Sequence, residues 1–208
     1  MAIISNAVTM ADAGAFSVSL GAMTLIKTIT LSSAAGNITF AHGASSVVLD
    51  GTYPIYKFVY TNIHPATDGA SFLVNFRDGS TAYDAEKTTT KISTYHQDDD
   101  GESSGDRLAY QAGGDLASGT GFQQLSNSTG NAGDECTGGE MFLFNPSSTT
   151  FVKHFISRAS SRHDASAAQD HLVTGYCHAT AAIDGAQFKF NSGNIDAGTI
   201  KLYGIKDS

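Results

Sequence analysis

Nowhere in this chain is there a run of the roughly 18 apolar residues that a membrane-crossing helix needs, so no helical insertion into a membrane is expected. Basic residues are few: 12 Lys and Arg stand against 20 Asp and Glu, for a formal net charge of −8. They are scattered with no basic patch, which argues against tracking a phosphate backbone and against nucleic acid as a partner. Charged residues of both signs make up only 15% of the 208 residues, against about 25% in an average soluble domain. Their place is taken by Gly, Ser, Thr, Ala and Asn, which suit turns and strand surfaces. Cysteine occurs twice, as Cys136 and Cys177, with no CxxC. One disulfide is conceivable, but two free, semi-buried thiols are the default for so few cysteines. No Lys or Arg precedes Lys27, so the basic region of a secretory signal is missing and synthesis in a cytoplasm is expected. Convincing amphipathic helices are absent too.

What the chain does have is alternation. In MTLIKTITL, Met23, Leu25, Ile29 and Leu31 fall on one face and Thr24, Thr28 and Thr30 on the other. YPIYKFVYTNI sets Tyr56, Phe58 and Tyr60 against Ile55, Val59 and Ile63, and SFLVNF aligns Phe72, Val74 and Phe76. Residues 88–95, EMFLFNP, FVKHFIS, TGYCHATA and AQFKFNS continue the series. The closing stretch alternates as well, with Ile200 and Leu202 opposite Thr199, Lys201 and Tyr203, and Gly198 and Gly204 at candidate bulges. HPATDG and RDGS are turns by their chemistry. Between Arg158 and His171 lies a polar excursion with room for a short helical turn. The spacing predicts an all-β fold, an antiparallel β-sandwich of jelly-roll form. Residues 1–22 form a short N-terminal arm, and residues 23–208 form the sandwich domain with a long loop insertion at 96–139. Several strands are apolar on both faces, as where Met141 and Leu143 oppose Phe142 and Phe144. A sandwich standing free should be polar outside. A homo-oligomer, a trimer among the forms weighed, is therefore expected.

Three constellations resemble sites. The acidic stretch 98–102 offers Asp98, Asp100 and Glu102 as hard oxygen ligands for calcium. The spacing is not that of a calcium-binding helical hand, and a solvated acidic loop is the default. Cys177-His178, with His154, His163 and His171, lacks zinc spacing, and neighbours on a strand point to opposite faces. Serines near His163-Asp164 lack a GxSxG turn. The glycines at 113–114 and 119–121 are followed by no Lys-Ser/Thr pair, so no phosphate cradle is expected. The carboxylates Asp84, Glu86, Asp134, Glu135 and Glu140 are not placed as a pair by sequence. No enzyme and no cofactor are expected. Tryptophan is absent, so any ring platform for a sugar must come from the 8 Tyr and 12 Phe. Most of these sit at strand periodicity and belong to the core. Tyr83, Tyr95, Tyr110 and Phe122 lie nearer loops and are the candidate ligand-binding residues for a glycan.

Three stretches together resemble small β-rich virion proteins of marine tailed bacteriophages. They are YPIYKFVYTNIHPATDGASFLVNF (Tyr53–Phe76), GEMFLFNPSSTTFVKHF (Gly139–Phe155) and FKFNSGNIDAGTIKLYGI (Phe188–Ile205). The resemblance implies a structural component on the surface of the particle, a tail-associated fibre or receptor-binding protein. Capsid decoration is the alternative within that class. Its arm would dock to other virion proteins and its exposed end would meet a host cell-surface glycan. A free carbohydrate-binding module is the rival from another class.

Overall fold

A computed structural model describes residues 3–5, 8–12, 15–16, 22–99 and 107–206. Within the arm, Ile3–Ser5 (β1), Val8–Asp12 (β2) and Ala15–Phe16 (β3) pair antiparallel into a small sheet of their own. The body is built from Met23–Thr30 (β4), Ile38–Ala41 (β5), Ile55–Pro65 (β6), Phe72–Arg77 (β7), Lys87–Gln97 (β8) and Arg107–Tyr110 (β9), then Gln123–Gln124 (β10), Thr137–Phe144 (β11), Lys153–His163 (β12), Ala167–Cys177 (β13), Gly185–Phe190 (β14) and Ile195–Ile205 (β15). Among the described residues the one helical element is a 3-10 turn at Ala112–Gly114.

These strands form two antiparallel sheets, in the orders β4-β15-β6-β11-β12-β13-β8-β9 and β10-β7-β14-β5. The fold is an all-β antiparallel sandwich. Its central frame is β4-β15-β6-β11 over β5-β14-β7-β10. Two insertions, β8 with β9 and β12 with β13, pair with each other and widen the larger sheet on one side.

The alternation places the core as expected. Tyr56, Phe58 and Tyr60 of β6, Met141 and Leu143 of β11, and Ile200 and Leu202 of β15 are fully buried, as are Phe72, Val74 and Phe76 of β7 and Phe188 of β14 in the opposing sheet. Phe72 and Phe188 stack at 5.8 Å, and Phe40 meets Phe58 edge-on at 5.4 Å. Each such ring contributes roughly 1.5–3 kcal/mol by burial, and aromatic pairing adds to it. β15 lies between β4 and β6, hydrogen-bonded on both sides, so the last strand of the chain is held inside a sheet rather than at its edge.

The structure departs from the sequence expectation in three places. Met23 and Leu25 do not share a face with Ile29 and Leu31. The register slips between Leu202 and Tyr203, so that Leu25 pairs with Tyr203 while Ile29 pairs with Ile200. A bulge of one residue turns the first half of β4 outward. The segment from Arg158 to His171 holds no helical turn; it is the body of the β12–β13 hairpin, in unbroken register from Lys153↔Cys177 to His163↔Ala167. Its inner face is polar, with Ser157, Ser161, Gln169 and His171 buried, so hydrophobic alternation could not reveal it. Residues 96–139, expected as one loop, carry β9, the 3-10 turn and β10. Leu125 is fully buried there, whereas Leu108 and Tyr110 are exposed.

Candidate functional site

The outer face of the large sheet is the most unusual surface of the molecule. Register places Leu25, Tyr203, Lys57, Phe142, Ile156, Thr174 and Thr90 side by side in one row across seven strands. The next row carries Val59, Glu140, Arg158, Leu172, Ile92 and Tyr110. Leu25 is 52% exposed, Ile156 41% and Tyr110 65%. Phe142 and Phe144 stack at 6.4 Å, with the Lys57 ammonium 4.9 Å above the Phe142 ring. Most charges on this face are matched within the chain; Lys201, beside Val59, is exposed and in no ion pair among the described residues. Lys57 Nζ meets Glu140 at 2.6 Å, and Arg158 donates to both oxygens of Asp170 at 2.9 Å.

Two hollows indent the face. One, of about 640 Å³, opens over Gly138 and Gly139 and is edged by Glu140, Arg158, Asp170 and Cys136. The other, of about 460 Å³, lies between His154, Ile156, Thr174 and Tyr176; Gly175 beneath it faces inward, so this hollow is not the space of a missing outer side chain. The carboxylates of the first hollow are each held by a cation, Glu140 by Lys57 and Asp170 by Arg158. Glu135 accepts from Ala132 N at 2.8 Å and from Arg162 Nε at 3.1 Å, while Asp84, Glu86 and Asp134 are exposed.

No protein-family model, curated protein or solved structure matches this chain.

The four candidate rings are not brought together. Tyr95 follows the inner-face parity of Lys91 and Ser93, meets His163 edge-on at 5.4 Å and accepts from Gln97 at 3.1 Å. Tyr110 is paired with Ile92 and therefore shares the opposite, outer face. Tyr83 is half-buried beside Arg77, and Phe122 lies under the Lys189 ammonium at 4.2 Å. No ring contact joins any two of the four among the described residues. In the acidic stretch, Asp98 is exposed and 3.4 Å from Arg162 Nη1, while Asp100 and Glu102 lie outside the described residues.

Both cysteines are free. Cys177 is wholly buried, and burial pushes its thiol up to about 12. It faces inward, whereas His178 accepts or donates at Thr88 Oγ1 at 2.7 Å. Cys136 is half-buried at the first hollow. In the native protein a maleimide should label Cys136 alone; labelling of Cys177 at an equal rate, mapped by peptide mass, would contradict this placement.

The inner face of β8, β12 and β13 holds what sequence reasoning missed. Lys153, Cys177 and Lys87 sit directly opposite one another across three strands, and Lys91 lies four residue pairs further along on the same face. All three lysines are fully buried. Burial draws Lys87 and Lys91 down to about 8. In sequence they were scattered cations in a Thr-rich strand, with no signal of burial. A Ser–His pair is here too, Ser161 Oγ with His171 Nε2 at 3.0 Å. It is closed to solvent, burial lowers His171 to about 3, and His171 Nδ1 has no partner. A base so weak, with nothing orienting its second nitrogen, does not activate a serine.

Proposed function

We propose that this chain is a non-enzymatic structural protein of a tailed bacteriophage virion, a tail-associated fibre or receptor-binding component that works as a homo-oligomer. The observation that carries the reading is the apolar outer face of the large sheet. A free sandwich would keep that face polar. Each copy carries a net charge of −8, so self-association must find a neutral patch. The face where Lys57–Glu140 and Arg158–Asp170 cancel internally meets that condition. The strand order β4-β15-β6-β11 over β5-β14-β7-β10 favours the jelly-roll form, two interlocked Greek keys. The resemblance of Tyr53–Phe76, Gly139–Phe155 and Phe188–Ile205 to virion proteins supports the setting. Capsid decoration is separated from the tail role by copy number per particle.

Light scattering tests the assembly. Full-length protein should show a mass three times the chain's 21.7 kDa, and a variant lacking residues 1–22 three times the mass of its own shorter chain. The double variant Phe142→Glu, Ile156→Glu should be monomeric, its association weakened by on the order of 100-fold or more, because it buries two more negative charges between copies that are already acidic. A monomeric native protein would overturn the oligomer. Assembly lost only with residues 1–22 would move the interface to the arm.

A further inference from the structure

An ammonium withdrawn from water is costly unless acceptors compensate it. Lys87 Nζ donates to the carbonyls of Ala85 and Gly121 at 2.7 and 2.8 Å, and Lys153 Nζ to those of Ala179 and Ala181 at 2.9 and 2.5 Å. Those acceptors are main-chain amides. Lys91 differs from both: its Nζ points at two side-chain carboxamides, Gln124 Oε1 at 2.6 Å and Asn127 Oδ1 at 2.9 Å. A primary carboxamide beside an amine is an acyl donor with ammonia as its leaving group. A third group completes the set. Both oxygens of Asp115 are buried near the Tyr110 hydroxyl, and the charge of this carboxylate acts on the Lys91 amine from beyond direct ion-pair distance.

The cluster is rigidly placed. Lys91 lies mid-strand in β8, and the 3-10 turn packs on its stem so closely that a Cβ on Gly114 would stand 2.8 Å from Lys91 Cδ. Asn127 is carried on a loop pinned on both sides, by Leu125 N to Phe72 O at 2.8 Å and Thr129 N to Ala70 O at 2.9 Å. Such fixed proximity is what turns a slow bimolecular condensation into an intramolecular one. Desolvation also leaves roughly a tenth of the Lys91 amine neutral near pH 7, against almost none for a lysine in water.

We propose that Lys91 and Asn127 condense spontaneously into an intramolecular isopeptide bond, with Asp115 as the proton carrier. Asp115, which must first swing into contact with the ammonium, takes a proton from Lys91. The freed Nζ attacks Asn127 Cγ, and the carbonyl π electrons move onto Oδ1. The proton held by Asp115 passes to Nδ2, and the Cγ–Nδ2 bond breaks as the carbonyl re-forms. The remaining extra proton on Nζ returns through Asp115, and nitrogen departs as ammonium. One C–N bond replaces another, with no oxidant or reductant. Asn127 is the acyl donor rather than Gln124 because Gln124 Nε2 is itself held by Ser71 Oγ at 2.9 Å, which resists its departure. The bond would staple β8 of the widened sheet to the loop after β10.

Intact mass spectrometry of the purified full-length chain decides it. The chain should be lighter than its sequence mass by one ammonia, and its digest should contain a branched peptide joining Lys91 to Asn127. Lys91→Met and Asn127→Ala should each restore the full mass. Asp115→Asn, which keeps the shape but not the proton acceptor, should form the link at least about 100-fold more slowly after refolding from urea. Full mass in the native chain, with cleavage by trypsin after Lys91, overturns the proposal. Loss of ammonia without a branch overturns it as well, since that is succinimide formation, and a branch at Gln124 overturns the assignment to Asn127.

Discussion

Replacing Gly139 with alanine should lower the melting temperature by roughly 10 °C, the result of about 3–5 kcal/mol lost. Gly139 lies mid-sheet in β11, paired with Tyr60 on one side and Ala159 on the other. A Cβ there would run into the Arg158 carbonyl and stand 2.8 Å from Ala159 Cα and 2.9 Å from Tyr60 Cε2. Two of those obstacles are backbone in β12, which cannot rotate away. The third is the ring of Tyr60, which crosses beneath Gly139 so that its hydroxyl can reach Ser157 Oγ at 2.7 Å and the Glu140 carbonyl at 3.3 Å. Moving the ring would sacrifice a buried hydrogen-bond network; keeping it would part the strands. Gly133→Ala is the control, because nothing lies within 4 Å of its added Cβ. Similar melting temperatures for the two variants would mean that β11 and β12 are not in the close register described.

Gly139 also shows where sequence legibility ends. The strands whose inner faces are hydrocarbon were readable residue by residue: Tyr56, Phe58 and Tyr60, Phe72, Val74 and Phe76, and Ile200 with Leu202 all face inward as their alternation predicts. The two-sided strand at Met141–Phe144 was readable as well, and its outer rings do lie on an uncovered face. The failures share a cause. β12, β13 and β8 bury Ser157, Ser161, Gln169, His171 and three lysines. Period-two patterning takes polar residues as outward, and it misleads where polar residues are buried while Ile156 and Leu172 face out. The bulge in β4 is invisible for another reason: one extra residue reverses every later face without changing composition. Lys91, Asp115 and Asn127 lie in three separate segments, and nothing in the sequence joins them. Only the register of β8 against β13 and the return of the chain through β10 bring them together.

The same polar layer should make the fold sensitive to acid through one residue. His171 is fully buried, and its Nε2 meets Ser161 Oγ at 3.0 Å. Desolvation chiefly, then the Lys91 cation for as long as that amine is unlinked, lower its pKa to about 3, with His163 acting in the same direction and Asp170 against it. In the unfolded chain it titrates near 6.5. A group whose folded pKa is depressed contributes its stability above the unfolded value and loses it as pH falls toward the folded one. The window is therefore from about pH 6.5 down to about 3, and near pH 4 the expected loss from this one ring is about 3 kcal/mol. His171→Phe keeps a ring of similar size and removes the titration, while Ser161 Oγ keeps Gln169 Oε1 at 3.3 Å. Near pH 7 the variant should lie within about 1 kcal/mol of the native protein. In urea unfolding at successively lower pH, its relative stability should climb by up to about 1.4 kcal/mol per pH unit. Carboxylates elsewhere titrate identically in both proteins and cancel in the difference. Two parallel curves would mean that the folded protein protonates His171 readily, and hence that the layer around Lys91 is open to water.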